Sequence, residues 1–264
     1  MDTSKMTVSQ LKEWMRQAKR QEVEAVLPFL EQDKRKGIRQ LASQWLRQEE
    51  LNRHKEARWE RLIAMEQKLR EQGYTAIAGV DEVGRGPLAG PVVAAAVILP
   101  AQIRLLELND SKQLSASLRE ELAVEIKAQA VAYHVAFVDA EEIDRINVYQ
   151  ASKKAMTLAV QGLCHAPDYV LLDAMTIPLH ISQRSIVKGD SRSASIAAAS
   201  VLAKVERDTW MKQQAVRYPQ YGFERNMGYG TKEHWQAIHT YGLTPLHRRS
   251  FIDGQLSLED IMHE

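Results

Sequence analysis

The chain has 264 residues, 45% of them hydrophobic, which is enough for one large domain or for a domain with an accessory segment. Its formal net charge of +1 gives no overall attraction to nucleic acid, so any such binding must come from local basic clusters. The single cysteine, Cys164, excludes an internal disulfide, and we expect it to be a small buried residue. No signal peptide and no membrane-spanning apolar run is found, so we expect a cytoplasmic protein.

Residues 1–72 differ from the rest of the chain in pattern and in charge. Apolar residues recur there at helical spacing, and Thr7 with Gln10 resembles the capping box that begins a helix. The segment holds 16 Lys and Arg against 12 Asp and Glu, whereas the remainder holds 19 against 22. This asymmetry is compatible with a small all-helical accessory domain that contacts nucleic-acid backbone, although an ordinary solvated helical face would give a similar pattern.

Residues 73–264 combine strand and helix patterns. Alternating or continuous apolar runs predict five strands, at residues 74–80, 92–99, 130–139, 168–174 and 185–188. The first two follow each other across a short turn, and helical segments separate the later ones. This order predicts an α/β fold with a mixed five-stranded sheet flanked by helices.

Two adjacent carboxylates, Asp81 and Glu82, end the first predicted strand, and a turn with Gly84, Arg85 and Gly86 follows. Desolvated carboxylates are costly unless a cation offsets their charge. Glycines let a backbone approach a ligand closely, and the arginine side chain suits phosphate. Together these residues indicate phosphodiester chemistry, although alone they are equally typical of a simple turn.

Two more acids are expected at the same edge of the sheet. Asp173 ends the fourth predicted strand and Asp190 follows the fifth, so Asp173 would lie beside Asp81 if their strands are parallel neighbours. A set of carboxylates without His or Cys selects Mg²⁺ or Mn²⁺ over Zn²⁺. Asp190 could instead cap the next helix, and Asp139 and Asp208 are alternative fourth ligands.

The motif at residues 81–93, Asp-Glu-Val-Gly-Arg-Gly-Pro-Leu-Ala-Gly-Pro-Val-Val, resembles the opening motif of the type 2 ribonucleases H, specifically of bacterial ribonuclease HII. Later motifs extend the resemblance over about residues 74–251. It implies a ribonuclease H-like catalytic domain over residues 73–264, with C-terminal helices, and an N-terminal extension that assists substrate binding.

The resemblance also implies an activity. Such an enzyme is a metal-dependent endonuclease that cuts 5′ of ribonucleotides in RNA–DNA hybrids and of single ribonucleotides in duplex DNA. The products carry a 3′-hydroxyl and a 5′-phosphate, and the reaction serves DNA replication and repair. Two divalent cations, Mg²⁺ or Mn²⁺, would be held by Asp81, Glu82, Asp173 and Asp190.

Substrate contacts are implied by the same resemblance. Gly84, Arg85 and Gly86 would read the ribose 2′-hydroxyl and its flanking phosphate, since the 2′-hydroxyl alone separates RNA from DNA at one position. Tyr229 would stack on the sugar of the next nucleotide. Taken alone, Tyr229 is more typical of an aromatic residue that anchors a loop.

Further contacts to the nucleic-acid backbone are implied for Ser111 and Lys112, which belong to an Asp-Ser-Lys triplet at residues 110–112. Without the family resemblance, this triplet is more typical of a turn before a helix. Lys204, Arg248 and Arg249 are weaker candidates for phosphate contacts.

Two other interpretations of the protein's function remain open. Ribonuclease HIII has similar core chemistry, but it usually carries a β-containing N-terminal domain. A relative that binds nucleic acid without cutting it is the non-enzymatic alternative, which the presence of all four acids disfavours. We expect a monomer with no membrane partner.

Overall fold

The computed structural model describes residues 3–253. The C-terminal limit predicted for the catalytic domain, residue 264, lies outside the described residues, as do residues 1–2. The chain divides into two compact units, Met1–Arg58 and Trp59–Glu264. The predicted division at residues 72 and 73 stays a prediction.

The described part of the first unit is built from helices. They are α1 (Val8–Gln17), α2 (Arg20–Glu31) and α3 (Lys36–Glu71), which continues into the second unit. Helix α1 begins with the expected capping box, in which the Gln10 N–H donates to Thr7 Oγ1 at 3.2 Å and the Thr7 N–H donates to Gln10 Oε1 at 2.9 Å. The helices enclose a small apolar core of Leu11, Met15, Val23, Leu27, Leu30, Ile38 and Ala42.

The second unit contains the predicted mixed sheet. Its strands are β1 (Ile77–Val83), β2 (Val92–Ile98), β3 (Ala132–Val138), β4 (Tyr169–Asp173) and β5 (Ser182–Ile186). They lie in the order β3-β2-β1-β4-β5. The first three form an antiparallel meander, and β4 and β5 add in parallel to β1. The predicted fold class is confirmed.

β2, β3 and β4 lie within two residues of their predicted limits, whereas β1 and β5 are shifted by up to three residues. β1 continues to Val83, so Asp81 and Glu82 lie within the strand and not in the turn after it, because they pair with Ala95 and Ala94 of β2. β5 begins at residue 182, earlier than predicted, and ends at residue 186. The chain turns there, with a left-handed backbone at Lys188 (φ 55°).

Helices cover both faces of the sheet. The helices that follow β2 are α4 (Ala116–Gln129), α5 (Ala140–Ile146), α6 (Val148–Gln161), α7 (Ala194–Arg217), α8 (Phe223–Asn226) and α9 (Lys232–Tyr241). Small residues of α7 pack on one face, and α6 packs on the other. At the closest approach, a Cβ on Gly79 would lie 2.0 Å from the carbonyl carbon of Ser195, so β1 can meet α7 only through a glycine.

A buried carboxylate fixes the start of α7. Glu66 lies in the part of α3 that belongs to the second unit, and its Oε1 accepts hydrogen bonds from Ser193 Oγ at 2.6 Å and from the Ser195 N–H at 2.9 Å. Negative charge at a helix N-terminus is stabilising. Glu66 thus ties the start of α7 to α3, three to five residues after Asp190 in the chain.

Two expectations from composition can be compared with the structure. Cys164 is exposed, so the expectation of a buried cysteine is wrong. It lies in the loop after α6, where it does not face either core. Among the helices of the described residues, none is long and apolar enough to cross a membrane.

Candidate active site

The strand register brings Asp81 and Asp173 to the same level at one edge of the sheet. β1 and β4 are parallel neighbours, and Val80 pairs with Leu172. Asp81 and Asp173 are the next residues of these strands, so they lie side by side. The parallel arrangement assumed in the sequence analysis is therefore the one observed.

Asp81 is almost completely buried, with 6% of its surface exposed. Its Oδ1 accepts the Glu82 N–H at 2.8 Å. Burial raises the pKa of Asp81 well above its ordinary value, and the charges of Glu82 and Asp173 raise it further, while the Ser200 hydroxyl on α7 lowers it. The ionised carboxylate is thus unfavourable here without a compensating positive charge.

Glu82, like Asp81, is a largely buried carboxylate with a raised pKa. Its Oε1 lies 3.3 Å from Nη1 of Arg85, and its Oε2 is buried without a hydrogen-bond partner in the described chain. Burial raises the pKa of Glu82 to about 7; the charge of Asp173 also raises it, and Arg85 opposes the shift. One carboxylate oxygen is therefore available for a further ligand.

Asp190 lies in the turn after β5 and is also buried. The Gly189 N–H donates to Asp173 Oδ1 at 2.7 Å, which ties this turn to the end of β4. Burial and the charge of Asp110 raise the pKa of Asp190, and Lys112, whose Nζ lies 3.6 Å from Asp190 Oδ2, lowers it. Asp190 thus faces the same negative environment, with one exposed lysine beside it.

The donor set fits a divalent cation in type and in charge. Within residues 3–253, no three acidic, His or Cys side chains are already arranged as a metal-binding cluster. The groups that converge on this edge are all carboxylates, the ligands that Mg²⁺ and Mn²⁺ prefer. Burial and neighbouring charges raise the pKa of Asp81, Glu82 and Asp190, so a cation bound here would favour their ionised forms. Binding one requires the side chains to rotate toward it.

The other acids considered for the fourth position have different roles. Asp139 is the N-cap of α5, and Asp208 accepts a hydrogen bond from Lys204 Nζ at 2.7 Å. Helix α7 is capped by Ser193, so the alternative role of Asp190 as its cap is not observed. Of these three acids, Asp190 is the one whose turn is hydrogen-bonded to the end of β4, through the Gly189 N–H and Asp173.

The glycine-rich turn after β1 lies against Tyr229. Gly84 has a φ of +88°, a conformation that favours glycine. A Cβ on Gly86 would lie 3.8 Å from the Tyr229 ring, which is itself 46% exposed. The turn and the ring thus form one surface beside the acidic edge, and their roles in reading substrate stay predictions.

Ser111 and Lys112 of the Asp-Ser-Lys triplet differ in exposure. Lys112 is exposed near Asp190, whereas Ser111 is buried, with its Oγ 2.9 Å from Oγ of Ser200. The lysine is open to a phosphate, and the serine hydroxyl links its loop to α7. A phosphate contact at either residue stays a prediction.

The basic residues proposed as weaker phosphate contacts need a correction. Arg248 is completely buried, so its expected phosphate contact is wrong, because its guanidinium binds main-chain oxygens of the glycine-rich turn instead. Lys204 pairs with Asp208. The sequence analysis also missed Arg207, a second completely buried arginine, because nothing in its helical context distinguishes it from an exposed one.

Two buried histidines, His234 and His247, form a chain of hydrogen bonds that ends at the Tyr229 carbonyl. The sequence analysis missed both. The Thr244 N–H donates to His247 Nδ1 at 2.9 Å, so the proton of neutral His247 is on Nε2. That group donates to His234 Nε2 at 3.0 Å, and His234 Nδ1–H donates to the Tyr229 carbonyl at 2.9 Å. Burial lowers the pKa of both, that of His247 to about 4, which keeps this chain of hydrogen bonds neutral.

Comparison with known proteins identifies the family. The Ribonuclease HII family model matches residues 78–253, and the model of the Ribonuclease HII N-terminal domain matches residues 7–70. The first match alone spans more than half of the chain and contains the whole acidic edge. The chain belongs to the ribonuclease HII family.

Similar curated proteins agree with this assignment. The chain is 51% identical over 240 residues to ribonuclease HII of Geobacillus kaustophilus, covering 87% of this chain and 92% of that protein. It is 48% identical over 249 residues to ribonuclease HII of Bacillus subtilis, covering 93% and 96%. The chain is therefore a ribonuclease H of type 2, an endonuclease that hydrolyses phosphodiester bonds.

Solved structures share the fold. Ribonuclease H2 from Pyrococcus horikoshii matches with a TM-score of 0.58 and 27% identity, over 66% of this chain and 92% of that one. The RNase HII in a PCNA complex from Archaeoglobus fulgidus matches with a TM-score of 0.54 and 25% identity, over 66% and 93%. The alternative reading as ribonuclease HIII is thus not supported, since the family models and curated relatives are ribonucleases HII.

Proposed function

We propose that this ribonuclease HII cuts the phosphodiester bond on the 5′ side of a ribonucleotide, both in RNA–DNA hybrids and at single ribonucleotides in duplex DNA, leaving a 3′-hydroxyl and a 5′-phosphate. The observation that carries the proposal is the sheet edge where Asp81 and Asp173 lie side by side, with Glu82 and Asp190 close by, next to an open glycine turn. Burial at this edge raises the pKa of Asp81, Glu82 and Asp190. The proposed enzyme works as a monomer in the cytoplasm, where bacterial DNA lies.

The four carboxylates are proposed to hold two divalent cations, Mg²⁺ or Mn²⁺. Such ions, when bound, supply an activated water and stabilise the leaving oxygen of the scissile phosphate. A ribonuclease HIII of similar fold has been solved in complex with Mn²⁺, which supports a divalent cation for this fold. The protein contributes a sheet edge at which the side chains of Asp81 and Asp190 are largely buried.

Recognition of the ribonucleotide is proposed to depend on the turn at Gly84, Arg85 and Gly86 together with Tyr229. Main-chain groups of the turn would contact the 2′-hydroxyl, and the exposed Tyr229 ring would stack on the next sugar. Lys112 and Ser111 would support the nucleic-acid backbone near Asp190. The proximity of the turn to the ring supports this division of roles.

One assay tests the cleavage proposal. A duplex with a single ribonucleotide and an all-DNA duplex of the same sequence are incubated with the enzyme and Mg²⁺, and the product ends are mapped. We expect one cut, 5′ of the ribonucleotide, and no cut in the all-DNA duplex. Equal cutting of both duplexes, or a cut on the 3′ side, would refute the proposal.

We propose further that residues 1–72 form a substrate-binding accessory domain. The support is a basic groove on α3, lined by Lys36, Arg39, Gln40, Ser43, Gln44 and Arg47, with no acidic residue among these lining groups. Arg39 is engaged with the carbonyls of Asp33 and Lys34, whereas Lys36 and Arg47 are exposed. Positive charge without neighbouring acids suits a phosphate backbone.

Neutralising this groove is expected to weaken substrate binding in a salt-dependent way. We expect K36Q/R47Q to raise the Kd for duplex and to reduce the slope of log Kd against log salt by about 2, since each phosphate contact contributes about 1. The double variant K12Q/R16Q on α1 removes the same charge elsewhere. An unchanged slope in K36Q/R47Q, or an equal reduction in the control, would exclude the groove as the binding surface.

A further inference from the structure

Two arginines lie completely buried beneath the glycine-rich turn. Arg207 and Arg248 each have 0% of their surface exposed, and neither forms an ion pair with any residue that the structure describes. Buried arginines usually have a carboxylate partner, since an unpaired charge is costly away from water. All of their hydrogen bonds go instead to main-chain carbonyl oxygens.

Arg248 holds the two ends of the turn. Its Nη2 donates to the Gly84 carbonyl at 2.5 Å and to the Gly90 carbonyl at 2.7 Å. Its Nη1 donates to the Arg85 carbonyl at 2.9 Å, and its Nε donates to Gly90 at 3.0 Å. One planar guanidinium thus fixes three peptide groups of the turn.

Arg207 connects the turn to the segment that carries Tyr229. Its Nε donates to the Pro91 carbonyl at 3.0 Å and its Nη2 to the Ala89 carbonyl at 3.2 Å. Its Nη1 donates to the carbonyl of Met227 at 3.0 Å, two residues before Tyr229. The contact is so close that a Cβ on Gly84 would lie 2.2 Å from Arg207 Nε.

The direction of these carbonyls determines where the neighbouring N–H groups point. In a planar trans peptide, the C=O of one residue and the N–H of the next point in opposite directions. Since the Gly84 and Arg85 carbonyls point at Arg248, the N–H groups of Arg85 and Gly86 point away from it. Within residues 3–253, neither N–H donates to another backbone group of the protein.

We propose that Arg207 and Arg248 are positioning residues for ribonucleotide recognition: they turn the carbonyls of the glycine-rich turn inward, so that the Arg85 and Gly86 N–H groups are presented to the ribose 2′-oxygen and its phosphate, in register with Tyr229. The inference rests on the proposed function of that turn. The two arginines themselves touch no substrate, because both are buried.

The positive charges of Arg207 and Arg248 also favour binding of a phosphate at the turn. Burial and the charge of Arg207 lower the pKa of Arg248 to about 9, so Arg248 is still a cation at neutral pH. Two cations beneath the turn favour an anion above it, which is where a phosphate would lie. The alternative is that the arginines only stabilise the fold, and substrate selectivity separates the two roles.

Arg248→Lys and Arg207→Lys keep the charge and remove the planar hydrogen-bonding fork. Each is made in the non-cutting D81N background, and Kd is measured for a duplex with one ribonucleotide and for the matched all-DNA duplex, below the melting temperature of the variant. We expect the ratio of the two Kd values to fall at least tenfold toward one, with the Kd for DNA changing less than threefold. Arg217→Lys, an exposed position on the same helix, is the matched control and should keep the ratio.

The outcomes are distinguishable. If D81N alone does not prefer the ribonucleotide duplex, the proposed function fails. If D81N prefers it and the Lys variants keep the full preference despite a lower melting temperature, the arginines are only structural and the inference is overturned. Should both Lys variants fail to fold, NMR of D81N decides: the Arg85 and Gly86 amide resonances should shift with the ribonucleotide duplex and not with DNA, and unshifted resonances overturn the inference.

Discussion

Replacement of Asp81 by Asn is expected to lower kcat by about a thousandfold or more, because losing one charged metal ligand removes several kcal/mol of transition-state stabilisation. The Kd for substrate should change little, since Asp81 is buried below the surface that meets nucleic acid. The two quantities are measured with a duplex carrying one ribonucleotide, by single-turnover cleavage and by anisotropy.

The same substitution should raise stability when no metal is present. The pKa of Asp81 is raised in the folded state, so the ionised side chain opposes folding at pH 7.5, and Asn has no charge to bury. We therefore expect a higher Tm for D81N in EDTA and a smaller gain on adding Mg²⁺ than in the original protein. Asp139→Asn, which preserves a helix cap, is the matched control and should keep full activity. Activity retained in D81N and lost in D139N would contradict the assignment.

Gly84→Ala is expected to destabilise the protein by about 3 kcal/mol and to lower activity about a hundredfold. The added Cβ would lie 2.2 Å from Arg207 Nε and 2.7 Å from the Pro91 carbonyl, at a φ of +88° that alanine rarely adopts. The turn must move, and it moves away from the position in which it meets substrate. Urea unfolding and single-turnover cleavage measure the two effects.

Gly86→Ala is the matched control two residues away. Its Cβ would meet only the Tyr229 ring, at 3.8 Å, which is an ordinary contact. We expect its stability to stay within about 0.5 kcal/mol of the original value, with any loss confined to substrate recognition. Equal destabilisation by both substitutions would show that the close packing around Gly84 is not what holds the turn.

That Asp81 and Asp173 lie at one edge of the sheet was predictable from the sequence. The prediction needs only the local strand pattern and the rule that neighbouring parallel strands end at the same edge. Asp173 ends an apolar run short enough to be a buried strand, and acids at the ends of neighbouring parallel strands meet at one edge. The extension of β1 through Asp81 and Glu82 did not follow, because charged residues are depleted in strands and only pairing with β2 overrides that tendency.

The burial of Arg207 and Arg248 beneath the glycine-rich turn was not predictable from the sequence. Arg207 and Arg248 are buried only because α7 and the segment after α9 meet beneath the turn, a contact between parts of the chain that are distant in sequence. His234 and His247 are buried where α9 and the segment after it pack against each other. Arginine is mostly exposed in proteins and histidine is intermediate, so sequence pattern alone does not predict that these side chains are buried.

Crystals of the protein soaked in Mn²⁺ and measured at the manganese absorption edge show whether the acids at this sheet edge hold divalent cations. We expect anomalous peaks within about 2.0–2.3 Å of oxygens of Asp81, Glu82, Asp173 and Asp190, with the carboxylates rotated toward them. No anomalous peak at this sheet edge, at a Mn²⁺ concentration that supports cleavage, would contradict this assignment.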